Sequence, residues 1–273
     1  MKQGGISKYK LNKIATESLC NTLRLHFDAI LLFKNCSYPS AFQLSVLSVE
    51  ELSKANWIDH YIWTSETNEG YLDSDSEHEW FKLLYLHPSK QWNFVARETE
   101  EFSPNFVSLI KDRKLEEKKQ NAIYVGLTRS KAKIDVTSRV STPWRIKEKD
   151  AKQVISLVNS ELLRICYRIE EDDFYYVGAR SMDEVFDYEI FKKLRQWPHK
   201  SGLKNDGWRK KNRNKYQYAP ADPVPRRSYL PMRHWSAELN VMFSWGRHEK
   251  DRENCNNSLR RWWRTWKLQS FCR

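Results

Sequence analysis

Long apolar runs are missing from this chain of 273 residues. No stretch approaches the roughly 18 consecutive apolar residues of a transmembrane helix, so no membrane partner is expected. Cysteine is sparse: Cys20, Cys36, Cys166, Cys255 and Cys272 are odd in number, widely spaced and never paired as C-x-x-C. That pattern argues against a disulfide scaffold or a structural zinc site and fits a reduced cytoplasm. Residues 1–13 are polar and basic, without the apolar centre of a signal peptide, so a cytoplasmic location is expected. Glycine is scarce too, at 8 residues, and no Gly-rich phosphate loop, Walker motif or nucleophile elbow occurs. The histidines at 26, 60, 78, 199, 234 and 248 have no metal-ligand spacing. Asp73-x-Asp75-x-Glu77 is like the start of a calcium loop, but His78 stands where the glycine is needed and Leu84 where the closing Glu is needed. A solvated loop with helix-capping residues is the simpler reading. No metal and no cofactor are expected.

Acid is lacking at one end. Residues 1–197 carry 29 Lys and Arg against 29 Asp and Glu, whereas residues 198–273 carry 18 against 6. The whole net charge of +12 therefore belongs to the last 76 residues. Such a tail favours anionic partners and leaves the fold of the body open. What is present in quantity is apolar and aromatic: 40% hydrophobic residues, with twelve tryptophans. That is enough for a packed core.

The periodicity predicts helices. Leu19, Leu23, Phe27 and Ile30 share one face of a helix over about 10–35. Ser37-Tyr38-Pro39-Ser40 then breaks the chain, and a second helix follows over about 39–65. So short a break between two long helices implies an antiparallel hairpin. After a polar loop at 66–76, a third helix is predicted over about 76–96 and a fourth over about 105–126. Residues 127–144 read as a loop or short ribbon. A fifth helix, about 147–169, carries Ile155, Val158, Leu162 and Ile165 on one stripe; a sixth, about 183–197, carries Phe186, Ile190, Leu194 and Trp197. The fold class is all-α, with residues 1–197 as the helical domain. Residues 198–273 form an irregular, basic, Trp-rich extension holding five of the nine prolines.

On the second helix, steps of 100° from Leu44 place Leu47, Ala55, Ile58 and Ile62 within about 60° of one line. Glu51 falls inside that stripe. A carboxylate there must be paired, and Lys54, three residues on, supplies the charge. A structural ion pair that fixes helix packing is the plain interpretation; a reactive group is the other.

The run YPSAFQLSVLSVEELSKANWI, residues 38–58, resembles the signature of AbiV, an abortive-infection family with a HEPN-like fold. That signature has an aromatic-Pro-x-Ala entry and a Glu-Glu-x-x-Lys-Ala core. His87-Pro88-Ser89-Lys90 resembles its His-x-x-Lys element, and Lys119 through Val125 its Lys-Gln-x-x-hydrophobic-Tyr-Val element. Together they cover residues 10–168. The resemblance implies a HEPN-like helical bundle, a homodimer, and a phage-defence effector triggered by a phage-encoded protein and arresting translation. Many HEPN domains are metal-independent ribonucleases with an Arg, four to six residues, then a His. This chain has Lys119, four residues, then Tyr124. Lys offers a point charge without the guanidinium fork, and Tyr is a poor base near neutral pH. His87 is the alternative titrating group, either meeting Glu51, Lys54 and Tyr124 or merely capping a helix end before Pro88. The candidate catalytic residues are therefore Glu51, Lys54, His87, Lys119 and Tyr124.

In the tail, basic and aromatic residues interleave. Lys210, Lys211, Arg213, Arg260 and Arg261 suit phosphates, and Trp262, Trp263 and Trp266 suit unpaired bases. RNA or the ribosome is the partner this composition suggests. An interfacial helix, or tryptophans packed back on the body, are the alternatives. An abortive-infection effector is the first functional reading; a HEPN-type endoribonuclease toxin and a non-catalytic RNA- or ribosome-binding adaptor are its rivals.

Overall fold

The segments predicted on either side of Pro39 form two helices of 27 residues each, α1 (Lys8–Lys34) and α2 (Tyr38–Thr64). They belong to a computed structural model that describes residues 5–96, 101–127, 129–130, 133–172 and 185–199. Ser7 starts α1, its hydroxyl accepting from the Lys10 amide at 3.3 Å. Asn35 Nδ2 donates back to the Leu31 carbonyl at 2.9 Å, and Cys36, at φ 59°, turns the chain. Pro39 then sits in the first turn of α2, where its missing N–H breaks no helical bond.

The hairpin is the largest interface among the described helices. Both helices bury small residues, Ala15, Ser18 and Ala29 on α1 and Ala41, Ser45 and Ser48 on α2. The Ser48 hydroxyl donates across the hairpin to the Thr22 carbonyl at 3.0 Å. α2 also packs against α4 (His87–Ala96) and α7 (Glu148–Asp172). It is thus the central helix, buried on several sides. A single stripe does not describe it: Leu44 and Leu47 are half-buried, while Phe42, Val46, Val49 and Leu52 are fully buried.

Two predicted helices are each two helices. α3 (Ser74–Leu83) and α4 are separated at Leu84–Leu86. Pro88 has no N–H for the Leu84 carbonyl, and its ring crowds that group, so the helix cannot run on. Likewise α5 (Pro104–Lys111) and α6 (Lys114–Asn121) are parted at Arg113, which takes the left-handed conformation at φ 59°. The acidic 73–77 segment is not simply solvated. Asp73 caps α3, accepting from the Ser76 amide at 2.9 Å. Glu77 is buried and accepts from the Tyr61 hydroxyl at 2.8 Å and the Ile6 amide at 2.7 Å, tethering the start of the chain.

A short ribbon follows α6. β1 (Arg129–Ser130) pairs antiparallel with β2 (Lys133–Ile134), and Gly126 bridges Ser141. A single 3₁₀ turn, Pro143–Arg145, leads into α7. Ile155, Val158, Leu162 and Ile165 of α7 are all buried, as their spacing predicts. α8 (Tyr188–Arg195) starts on Asp187, whose carboxylate accepts from the Ile190 amide at 2.7 Å. It docks on α7 through Asn159 Nδ2, which donates to the Leu194 carbonyl at 3.1 Å, and through Trp197 Nε1, which donates to Ser156 Oγ at 3.0 Å. Among the described residues no helix is long and apolar enough to cross a membrane. The chain is an all-α bundle. The basic extension, with Lys210, Lys211, Arg213, Arg260, Arg261, Trp262, Trp263 and Trp266, lies outside the described residues.

Candidate functional site

The carboxylate at the heart of α2 is Glu50, not Glu51. It is 1% exposed. Two helices deliver its partners. From the start of α4, His87 Nδ1 donates to Oε2 at 2.6 Å and Gln91 Nε2 to Oε1 at 2.7 Å. From α6, Lys119 Nζ donates to Oε1 at 2.8 Å. Lys90 Nζ stands 3.9 Å away. The spacing explains the arrangement: His87, Lys90 and Gln91 lie at i, i+3 and i+4 on one face of α4. On α6, Glu116 and Lys119 lie at i and i+3 and pair at 2.7 Å. Glu116 also accepts from Gln91 Nε2 at 2.8 Å.

Burial pushes the Glu50 carboxyl up. The His87 hydrogen bond, the Lys119 charge and bond, and the Gln91 bond outweigh it and hold Glu50 below the usual carboxylate range. Lys90 is lowered as well, but there burial wins and disfavours the charged form, with the nearby Glu50 and Glu51 only partly offsetting it. The centre therefore keeps an ionised carboxylate where an isolated one would cost several kcal/mol.

The predicted candidates fall in three places. Glu51 and Lys54 do pair, at 2.8 Å, but on the flank of the cluster and half-buried, with Lys90 4.0 Å from Glu51. Lys119, expected at the rim, is buried between Glu50 and Glu116. Tyr124, expected beside Glu51, is 62% exposed beyond the end of α6 and shares none of the cluster's hydrogen bonds. His87 caps no helix C-terminus, for it opens α4; its side chain is 49% exposed while its Nδ1 is tied to Glu50. Glu50, Lys90, Gln91 and Glu116 were not singled out from the sequence. The signal was there: Glu50 and Lys90 are the other charged members of the same Glu-Glu and His-x-x-Lys elements.

Chemically, the arrangement holds one imidazole against a buried carboxylate. The carboxylate fixes the tautomer by accepting from Nδ1, which leaves Nε2 as the nitrogen able to take or give a proton. The Lys119 ammonium is already shared by two carboxylates and is not an open cation of the kind the Arg-x-His arrangement presents.

The three motif elements thus meet at one centre. A search of curated proteins and one of solved structures gave no match. The family model described as AbiV, of HEPN type, matches residues 10–164, from α1 through most of α7, and so covers more than half of the chain, including every member of the Glu50 cluster. The chain belongs to the AbiV abortive-infection family, with its HEPN-like all-α fold.

Proposed function

We propose that this protein is a phage-defence effector that arrests translation in the infected cell once a phage-encoded protein triggers it. The observation that carries the reading is the family match over residues 10–164, whose three motif elements converge on Glu50. A trigger needs something to act on, and the cluster supplies it. Glu50 is held by α4 and α6 together, so any movement of either helix leaves a buried charge short of partners. A homodimer in the bacterial cytoplasm is the form in which we place this effector. The test is to express the chain in bacteria, infect with phage, and follow labelled amino-acid incorporation. Incorporation should stop early and phage yield fall; unchanged incorporation in protected cells would remove translation as the target.

A second reading is an endoribonuclease. The Lys119 and Tyr124 positions argue against the usual HEPN pair, and His87 is what favours cleavage at all. Nε2, which Glu50 leaves free, would take the proton from a ribose 2′-hydroxyl as that oxygen attacks phosphorus and the P–O5′ bond breaks, and water would protonate the departing 5′-oxygen. RNA or ribosome binding through the tail, without chemistry, is the third reading. It is tested by removing residues 198–273 and measuring RNA retention.

A further inference from the structure

The neutrality of residues 1–197 hides a division. Residues 127–149 carry seven Lys and Arg against two Asp and Glu, and the rest of 1–197 carries 22 against 27. The basic segment is the ribbon and the turn after it. Both of its acids are engaged locally. Asp135 accepts from the Thr137 amide at 2.9 Å and from its hydroxyl at 2.6 Å, closing a turn, and Glu148 pairs with Lys152 at 3.1 Å. Arg139, Arg145, Lys147 and Lys149 are exposed and make no ion pair among the described residues.

Large apolar side chains share this end of the molecule. Trp144 is 78% exposed and Tyr124 is 62% exposed, with Val125, Val136 and Val140 also exposed. The Gly126–Ser141 bridge gathers them. Ser141 N donates to Gly126 O at 2.7 Å and Gly126 N to Ser141 O at 3.2 Å, laying the chain after α6 beside the chain that enters Pro143–Arg145. Tyr124 and Trp144, far apart in sequence, are thereby brought to one edge of the bundle.

We propose that this face, formed by Tyr124, Arg139, Trp144, Arg145, Lys147 and Lys149, binds single-stranded nucleic acid. Unpaired cations bind a polyphosphate and release its counterions. Exposed aromatic rings stack on bases only when those bases are unpaired, so a duplex gains less here than a single strand. A membrane surface is the poorer fit: cations and apolar residues alternate along an irregular segment and are not segregated on two sides of a helix. The face includes no member of the Glu50 cluster and no residue of the tail. It goes beyond the defence reading, and neither depends on the other.

The test uses the full chain and a single-stranded RNA of about 20 nucleotides carrying 4-thiouridine, longer than one binding groove needs. After irradiation, adducts should map to peptides holding Tyr124 and Trp144. Tyr124→Ala with Trp144→Ala should weaken binding at least about thirtyfold at fixed salt. Arg139→Ser, Arg145→Ser and Lys147→Ser together should lower the log–log salt slope by about 2. Adducts confined to residues 200–273, no adducts, or equal affinity for duplex RNA would overturn the proposal. So would phosphatidylserine vesicles that lose binding to these variants while RNA binding stays unchanged. The adduct map comes from the unsubstituted protein, so no variant need fold for it to decide. Absence of phage protection by the unsubstituted chain, with the RNA result intact, would fault the defence reading alone.

Discussion

His87 Nδ1 donates a 2.6 Å hydrogen bond to Oε2 of Glu50, joining a half-exposed imidazole at the start of α4 to a carboxylate buried in the middle of α2. The bond spans two helices and two of the motif elements. It also couples the most exposed member of the cluster to its least accessible one. Substitutions at Glu50, at its neighbour Glu51 and at His87 therefore report on different things.

Glu50→Ala removes the acceptor that Gln91, His87 and Lys119 share, and leaves Lys119 buried with Glu116 alone. Breaking a buried pair in this way costs roughly 3–5 kcal/mol. Glu51→Ala disrupts a half-buried i,i+3 pair and should cost about 1 kcal/mol. Urea denaturation of the two variants measures both. Equal losses would mean that Glu50 is not the buried anchor.

Acid should weaken the cluster with a definite sign. Glu50 is depressed in the folded protein, so its contribution is present above the ordinary carboxylate range and is lost as pH falls through its lowered pKa. Glu50→Gln does not titrate. The stability gap between the wild-type protein and Glu50→Gln should therefore narrow on acidification. A gap that widens as pH falls contradicts the assignment.

A second pH effect arises far from the cluster. His26 is fully buried on α1, with Nε2 3.0 Å from Asn159 Oδ1. The Asn159 amide nitrogen donates to the Leu194 carbonyl, so its oxygen must accept, and neutral His26 carries its proton on Nε2. Burial, partly offset by the Asn159 bond, lowers His26 to about 4 from 6.5. The unfolded chain takes up this proton first as pH falls. Between pH 6.5 and 4 the protein should lose about 3 kcal/mol from this group, on top of any carboxylate effect. His26→Gln can still donate to Asn159 and should show a pH profile flatter by that amount. Parallel profiles for the two proteins would overturn the prediction.

Much of this was legible beforehand, and the failures have physical causes. The α1–α2 hairpin follows from a proline-marked break between two long periodic segments, and the stripe on α7 from four apolar residues at helical spacing. Both readings hold because a proline-marked break and a helical spacing of apolar residues are local features that the packing leaves in place. The reading of α2 erred by one residue because it assumed one face. A helix packed against α1, α4 and α7 buries Glu50 as readily as its neighbour, and periodicity alone does not choose between them. The breaks at Leu84–Leu86 and Arg113 split what reads as continuous pattern. Pro88 announces the first of them. Nothing in the residue type announces the second, since an arginine rarely adopts a positive φ. The fit of Lys119 between two carboxylates depends on α6 approaching α2, a contact that no local pattern encodes.

His87 separates a functional role from a structural one. Its side chain is 49% exposed, and without it Glu50 still accepts from Gln91 and Lys119. His87→Asn should therefore cost about 1.5–3 kcal/mol of stability, the usual net worth of one hydrogen bond to a charged group. If the imidazole serves proton transfer, loss of activity should exceed that. Removing a general base lowers a rate by about 10²–10⁴-fold. Two measurements on one variant decide it: phage yield after infection, and cleavage of labelled RNA by purified protein, each set against the melting temperature. Full folding with protection lost and no RNA cleavage in either protein assigns His87 to the trigger or the dimer. Full folding with both protection and wild-type cleavage lost assigns it to chemistry. Retained protection in a well-folded His87→Asn protein would leave the histidine as a structural partner of Glu50 and end the catalytic reading of this cluster.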